Sequence, residues 1–242
     1  MFVVAGVRVT AAPDKAPGRI AGMFDAIAPR YDLLNHVLSA GIDRRWRALA
    51  IRSLGLTGRE TLLDVCTGTA DVALQARDAA RVVGVDFAAE MLSFGQGKLR
   101  AAREGQRITL VRGDATRLPM RDGTVDVATV AFGIRNVERP DLACEELARV
   151  MRRGGRLAIL EFGVPRVPGI STLYSWYFRY LLPAIGRMIS GHTAAYSYLP
   201  ASVGTFPPPP DFMVILEQAG FADVRADPLT VGIVYLYTAT KG

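Results

Sequence analysis

Short apolar runs alternate with helical stretches between residues 58 and 162, and this alternation restricts the fold more than any other feature of the chain. The runs are 60–66 (ETLLDVC), 81–86 (RVVGVD), 108–111 (ITLV), 125–132 (VDVATVAF) and 157–162 (LAILEF). Helices are expected at 72–76, 88–102 and 139–151, the last stopped by Gly154 and Gly155. Runs that are apolar throughout suit strands covered on both faces. Strand–helix alternation then implies parallel strands with right-handed crossovers. The end of the chain breaks the rule. Runs 224–229 and 233–240 are joined by only Thr230, Val231 and Gly232, so they pair antiparallel. The expected architecture is α/β: a doubly wound, mostly parallel seven-stranded sheet with an antiparallel last strand, Rossmann-like.

Two regions fall outside that core. Residues 19–56 read as helices with a break at Pro29 and a restart near Asp43, and residues 164–210 are rich in aromatic side chains, Pro and Gly. Both are expected to cap the carboxyl edge of the sheet, where open α/β sheets take their ligands. Residues 1–18 read as a loose arm broken by Pro13, Pro17 and Gly18, leaving 19–242 as one domain. Phe206 and the run 207–210 read as a stiff connector into a helix at 211–219.

Composition removes several function classes. Two cysteines, Cys66 and Cys144, exclude a disulfide framework and a four-cysteine zinc site, and read as buried thiols of a reducing compartment. Two histidines, His36 and His192, make a metal centre unexpected. The net charge of +6 comes mostly from scattered arginines, with no nucleic-acid-binding motif beside them. No stretch reaches the roughly 18 apolar residues of a membrane span. No basic leader precedes the short apolar run at the start. The chain is therefore expected in the cytoplasm, with peripheral contact to the inner face of the membrane.

The segment 64–71 (DVCTGTAD) follows a strand and opens a helix. Gly68 permits a tight turn close to a ligand. The pyrophosphate cradle G-x-G-x-x-G is missing, with Ala70 in the place of a further glycine, so a nucleoside without a pyrophosphate suits the loop better than a dinucleotide. Asp86 ends the second run and is placed to accept two ribose hydroxyls; the alternative is an N-cap or surface acid. Asp114 ends the third run, with Ala115 behind it, and is placed to read an adenine amino group; the alternative is a turn former. Acids at three successive strand ends point to one site.

The chain at this point resembles the class I S-adenosylmethionine-dependent methyltransferases. The stretches 31–46 (YDLLNHVLSAGIDRRW), 132–137 (FGIRNV), 149–162 (RVMRRGGRLAILEF) and 196–200 (YSYLP) resemble the family that methylates the ring carbon of polyprenyl quinols in menaquinone and ubiquinone biosynthesis. The family usually carries His where this chain has Asp43, a second Gly where it has Ala70, and Ser where it has Gly163. The resemblance implies S-adenosyl-L-methionine as cofactor. It puts Thr69 and Gly68 beside the methionyl part, Asp64 at the loop or the methionyl ammonium, Asp86 on the ribose, and Asp114 with Ala115 on the adenine. It implies methylation of demethylmenaquinol to menaquinol. The benzoquinol of ubiquinone, another lipophilic small molecule, or a non-catalytic membrane-associated scaffold are the alternatives.

Carbon methylation needs electron density on the ring carbon, and a quinol hydroxyl ionises near pH 10 as a tyrosine does. A fixed cation beside the oxygen would favour the phenolate. Arg135, inside FGIRNV, is the expected cation, against pairing with Glu138 or Glu161; Asn136 is expected to position the loop or a substrate oxygen. His192 is the expected proton acceptor, ahead of His36. Tyr31 and Asn35, four apart on one helical face, are expected to cover the cofactor with Tyr196; Trp46 is expected in the core. The segment 170–189 is expected to form an apolar funnel for the prenyl tail, kinked at Pro183 and facing the membrane. Partners are then the prenylated quinol and the membrane face, with no nucleic acid; self-association is left open.

Overall fold

A computed structural model describes residues 2–4, 7–9, 13–165, 169 and 193–242. Phe2–Val4 (β1) and Val7–Val9 (β2) pair antiparallel in a small hairpin. Helices α1 (Pro17–Ile27), α2 (Tyr31–Leu38) and α3 (Asp43–Ser53) follow, with a 3-10 turn at Ala28–Arg30 between the first two. The break at Pro29 and the restart at Asp43 are as the sequence predicts. Pro17 and Gly18 do not interrupt the chain as expected; they open α1. Proline at the first helical position loses no hydrogen bond, since that amide has no partner in any helix.

The main sheet contains β3 (Thr61–Val65), β4 (Arg81–Asp86), β5 (Ile108–Arg112), β6 (Val125–Ala131), β7 (Met151–Phe162), β8 (Phe221–Leu229) and β9 (Val234–Lys241). Its order is β5-β4-β3-β6-β7-β9-β8. Pairs within β5-β4-β3-β6-β7 are parallel, and β9 runs antiparallel between β7 and β8. The connecting helices are α4 (Asp71–Gln75), α5 (Ala89–Ala102), α6 (Pro140–Val150), α7 (Thr193–Thr205) and α8 (Pro209–Gln218).

Successive strand residues face opposite sides, and both sides are covered. Leu63, Val65, Val130 and Ile159 pack with Leu147, Phe212 and Leu216 on one face. Leu62, Val82, Val127 and Leu160 pack with Trp46, Ala50 and Ala73 on the other. Each such fully buried Leu or Ile contributes roughly 1.5–3 kcal/mol by leaving water. Trp46 is a core residue, as expected, and its Nε1 donates to Thr230 Oγ1 at 2.9 Å.

One boundary differs from expectation. The helix after β6 ends at Val150, within a residue of expectation, but the strand expected at 157–162 begins at Met151, so Gly154 and Gly155 lie inside β7. There the β6–β7 register jumps from Val125↔Met151 to Val127↔Arg156. A Cβ on Gly155 would meet the carbonyl oxygens of Arg152 at 2.8 Å and Asp126 at 3.0 Å, so glycine is needed for the irregular stretch, not for a helix stop.

Candidate functional site

A cavity of about 250 Å³ opens at the carboxyl ends of β3, β4, β5 and β6. Val65 and Cys66, Val85 and Asp86, Gly113 and Asp114, and Ala131 and Phe132 supply one strand end each. Phe24 of α1 and Tyr31 of α2 lie over it, their rings meeting edge-on at 6.1 Å. Asp25 of α1 accepts from the Glu90 amide at 2.9 Å, which ties this cover to the first turn of α5.

Left-handed backbone gathers at this edge: φ is +57° at Cys66, +55° at Gly68, +67° at Ala70 and +61° at Phe132. Such conformations cost a non-glycine residue energy and persist where the surroundings enforce them. Close approach is one enforcement. A Cβ on Gly133 would sit 2.3 Å from Cys66 Cβ, so the β3 and β6 loops meet only over a glycine.

Asp86 and Asp114 both line the cavity. Asp86 Oδ2 accepts from the Gly68 amide at 2.8 Å and Oδ1 from the Ala88 amide at 2.9 Å. A carboxylate oxygen has two acceptor positions, so each retains one. Burial pushes the Asp86 carboxyl above its ordinary value, against these two amides. Asp114 Oδ1 accepts from the Thr116 amide and hydroxyl, both at 2.8 Å, which leaves Oδ2 for a ligand. The loop carrying it is pinned by Glu146, which accepts the Leu118 amide at 2.8 Å. Ala115 and Gly68 also line the cavity.

Asp64 lies behind the loop, buried, accepting from Thr67 Oγ1 at 2.5 Å. Burial pushes its carboxyl up to about 7, against that hydrogen bond. The folded protein therefore holds a proton that the unfolded chain releases near pH 4. This contribution is full below that value and lost as pH rises to about 7. Asp64→Asn should flatten the fall in stability between pH 5 and 7, read by urea unfolding at several pH values. Equal pH dependence in both proteins would show that Asp64 ionises normally.

The remaining expected residues are placed less uniformly. Asn136 lines the cavity, and its buried Oδ1 has no partner among the described residues. Arg135 is not in the cavity wall. Its Nη1 donates to Glu161 Oε1 at 2.7 Å and to the Phe132 carbonyl at 2.5 Å, and its amide donates to Glu161 Oε2 at 3.1 Å. The expected free cation is thus neutralised by a carboxylate, the pairing that the sequence left as its alternative. Thr69 is not in the cavity wall; its hydroxyl donates to Asp32 at 2.6 Å. Asn35 bonds the Tyr31 hydroxyl, whose burial raises it above the ordinary phenol range. Both ring nitrogens of His36 are engaged, Nδ1 with Asp43 at 3.1 Å and Nε2 with Arg44 at 3.0 Å. His192 lies outside the described residues, as does the Tyr196 side chain. Cys144 is buried as expected, whereas Cys66 is half-buried on the cavity wall. Burial raises both thiols, so neither favours the thiolate.

One group that the sequence did not single out, Lys15, belongs to the site, and a second, Glu161, is the partner that the sequence offered as an alternative for Arg135. Lys15 lines the cavity and forms no ion pair with any described residue; its desolvation favours the neutral amine. Glu161, fully buried, pairs with Arg135 behind the cavity wall.

The family model of the ubiE/COQ5 methyltransferases matches residues 12–241. The chain belongs to the ubiE/COQ5 methyltransferase family. A ubiquinone/menaquinone biosynthesis C-methyltransferase of Syntrophotalea carbinolica is 49% identical over 232 residues, covering 94% of this chain and 97% of that protein. A demethylmenaquinone methyltransferase of Thermus thermophilus is 41% identical over 222 residues, 90% of this chain and 100% of that one. Among solved structures, an S-adenosylmethionine-dependent methyltransferase fold from Methanococcus maripaludis superposes with a TM-score of 0.64 at 17% identity, over 90% and 94% of the two chains.

The departures from the ubiE/COQ5 pattern have structural explanations. Asp43 replaces a histidine and takes Ser39 Oγ at 2.8 Å and Arg47 Nη1 at 2.6 Å. Ala70 has left-handed backbone, φ +67°, which a glycine would adopt without strain. A Cβ on Gly163 would lie 2.7 Å from the Tyr235 ring, so this ring occupies the space of the usual serine. The cofactor of the ubiE/COQ5 enzymes, S-adenosylmethionine, suits the donor set. Asp86 offers paired acceptors, Asp114 one more, and the loop at Gly68 has no side chain to obstruct it.

Proposed function

We propose that this chain methylates the ring carbon of demethylmenaquinol to give menaquinol. The observation that carries this reading is a largely apolar cavity whose wall holds the Asp86 and Asp114 carboxylates together with Asn136, whose oxygen is unpaired among the described residues. S-adenosylmethionine, when bound, supplies an electrophilic methyl group. Asp86 holds its ribose and Asp114, with Ala115, its adenine. Asp64 acts on the Gly68 loop through Thr67. Asn136 Oδ1 accepts a quinol O–H, which moves electron density onto the neighbouring ring carbon; that carbon takes the methyl as the methyl–sulfur bond breaks, the bond's electron pair leaves with the demethylated thioether, and the ring proton passes to solvent. Arg135 and Glu161 act from behind the wall by fixing the turn that presents Asn136. Phe24 and Tyr31 exclude water, so the two reactants meet at attack distance in a dry site. The benzoquinol is the second reading, carried by the joint ubiquinone/menaquinone naming of the 49% identical relative.

A prenylated substrate resides in a bilayer, and the outer face of α2 suits contact with one. Leu33 and Val37, four apart, are 56% and 47% exposed, with Arg44 and Arg45 exposed nearby. No helix among the described residues is long and apolar enough to cross a membrane. The expected funnel at 170–189 lies outside the described residues. The reading places the chain at the inner membrane face, in the cytoplasm.

Purified protein with S-adenosylmethionine should methylate a short-tailed demethylnaphthoquinol at its ring carbon, and a matched benzoquinol more slowly, by mass spectrometry. It should float with anionic vesicles, less so at high salt. Transfer to neither ring would overturn the reading; failure to float with any vesicle would remove only the membrane contact.

A further inference from the structure

Lys98 of α5 joins three separate parts of the chain. Its Nζ donates to Asp32 Oδ2 of α2 at 2.8 Å, to Thr69 Oγ1 of the donor loop at 3.2 Å, and to Asp71 Oδ1 at the start of α4. An ammonium has three donors, and all three are used. Thr69 closes the triangle by donating to Asp32. From Asp71 the ladder continues through Arg47 Nη1, 3.1 Å away, to Asp43, which meets His36 and Ser39 at the other end of α2. Helix α2 is thus held at both ends by one series of alternating charges.

We propose that Lys98 is a positioning residue for methyl transfer: it fixes α2 against the donor loop and so sets Tyr31 over Gly68. Tyr31 precedes Asp32 directly, and its ring lies 3.9 Å from where a Cβ on Gly68 would stand. A shift at Asp32 therefore reaches the cavity roof within one residue. Composition supports the assignment. The chain has only three lysines, Lys15, Lys98 and Lys241, among 29 basic residues. Arginine is this chain's usual cation, yet lysine stands where three partners surround one point. A planar guanidinium cannot meet them in the same geometry.

The inference rests on the donor site proposed above, and its test needs no quinol. Titration calorimetry with the demethylated product of the donor should show affinity reduced at least tenfold in Lys98→Met. Lys98→Arg should restore the melting temperature but not the affinity, a separation that a purely structural cation would not produce. Asp32→Asn should weaken affinity too, and its effect should not add to that of Lys98→Met, as expected for groups in one network. Wild-type affinity in folded Lys98→Met, or full recovery in Lys98→Arg, overturns the proposal. If Lys98→Met does not fold, unchanged affinity in Asp32→Asn overturns it instead. Absence of binding to the wild-type protein would count against the donor site itself.

Discussion

Arg135→Ala is expected to lower folding stability by about 3–5 kcal/mol, the size typical of breaking a buried ion pair from one side. Glu161 is 0% exposed and accepts three hydrogen bonds, from the Arg135 amide, from Arg135 Nη1 and from the Phe162 amide at 2.8 Å. The guanidinium also stacks 5.2 Å from the centre of the Phe162 ring. Alanine removes the positive charge and the stacking together, and leaves the carboxylate without a cation in a wall that water does not reach. A double variant, Arg135→Met with Glu161→Gln, removes both charges and should recover most of the loss, because exchanging a whole buried pair is often near neutral. Urea unfolding of the three proteins measures this. Wild-type stability in Arg135→Ala, combined with turnover reduced by ~10²–10³, would instead make the guanidinium a direct stabiliser of the reacting oxygen.

Asp86→Ala should reduce affinity for the donor or its demethylated product by roughly 1.5–3 kcal/mol, about ten- to a hundredfold, as expected for loss of hydrogen bonds to a charged group. The carboxylate does two things at once. It offers its remaining acceptor positions to the ligand, and it holds the Gly68 and Ala88 amides in place. Asp86→Asn should fall between, since an amide nitrogen cannot accept and one of the two backbone donors loses its partner. Acidification should weaken binding to the wild type, because burial raises this carboxyl and protonation removes an acceptor. Calorimetry across pH tests both statements; equal affinity in Asp86→Ala removes the ribose assignment.

The parallel part of the sheet was legible because its strands carry short, mostly apolar runs alternating with helical stretches. Asp86 and Asp114 were legible because an acid at or just past the end of a buried parallel strand lies at the ligand edge by topology alone, whereas Asp64, one residue short of the end of β3, lies behind the loop. Lys98 was not visible in that way. Its importance comes from a partner 66 residues away, and no local spacing encodes such a pair. One signal for Lys98 was available, the scarcity of lysine in an arginine-rich chain. Arg135 shows the opposite failure. A local motif correctly marked it as important, but the choice between a free and a paired cation depended on how β7 lies beside β6. The start of β7 at Met151 was missed because two glycines that serve an irregular strand resemble a helix stop.

The strand order has a consequence for how such enzymes diversify. From β3 the chain moves outward to β4 and β5, then returns to β6 and β7 on the opposite side. Under the roles proposed here, the nucleoside is gripped by the first group and the acceptor by the second. Drift in the turn at 132–139, or in the helices above it, can therefore retarget the chemistry to a new acceptor while the grip on the donor is inherited unchanged. Selection acts on two nearly independent halves of one sheet, and acceptor choice becomes the half that is free to vary.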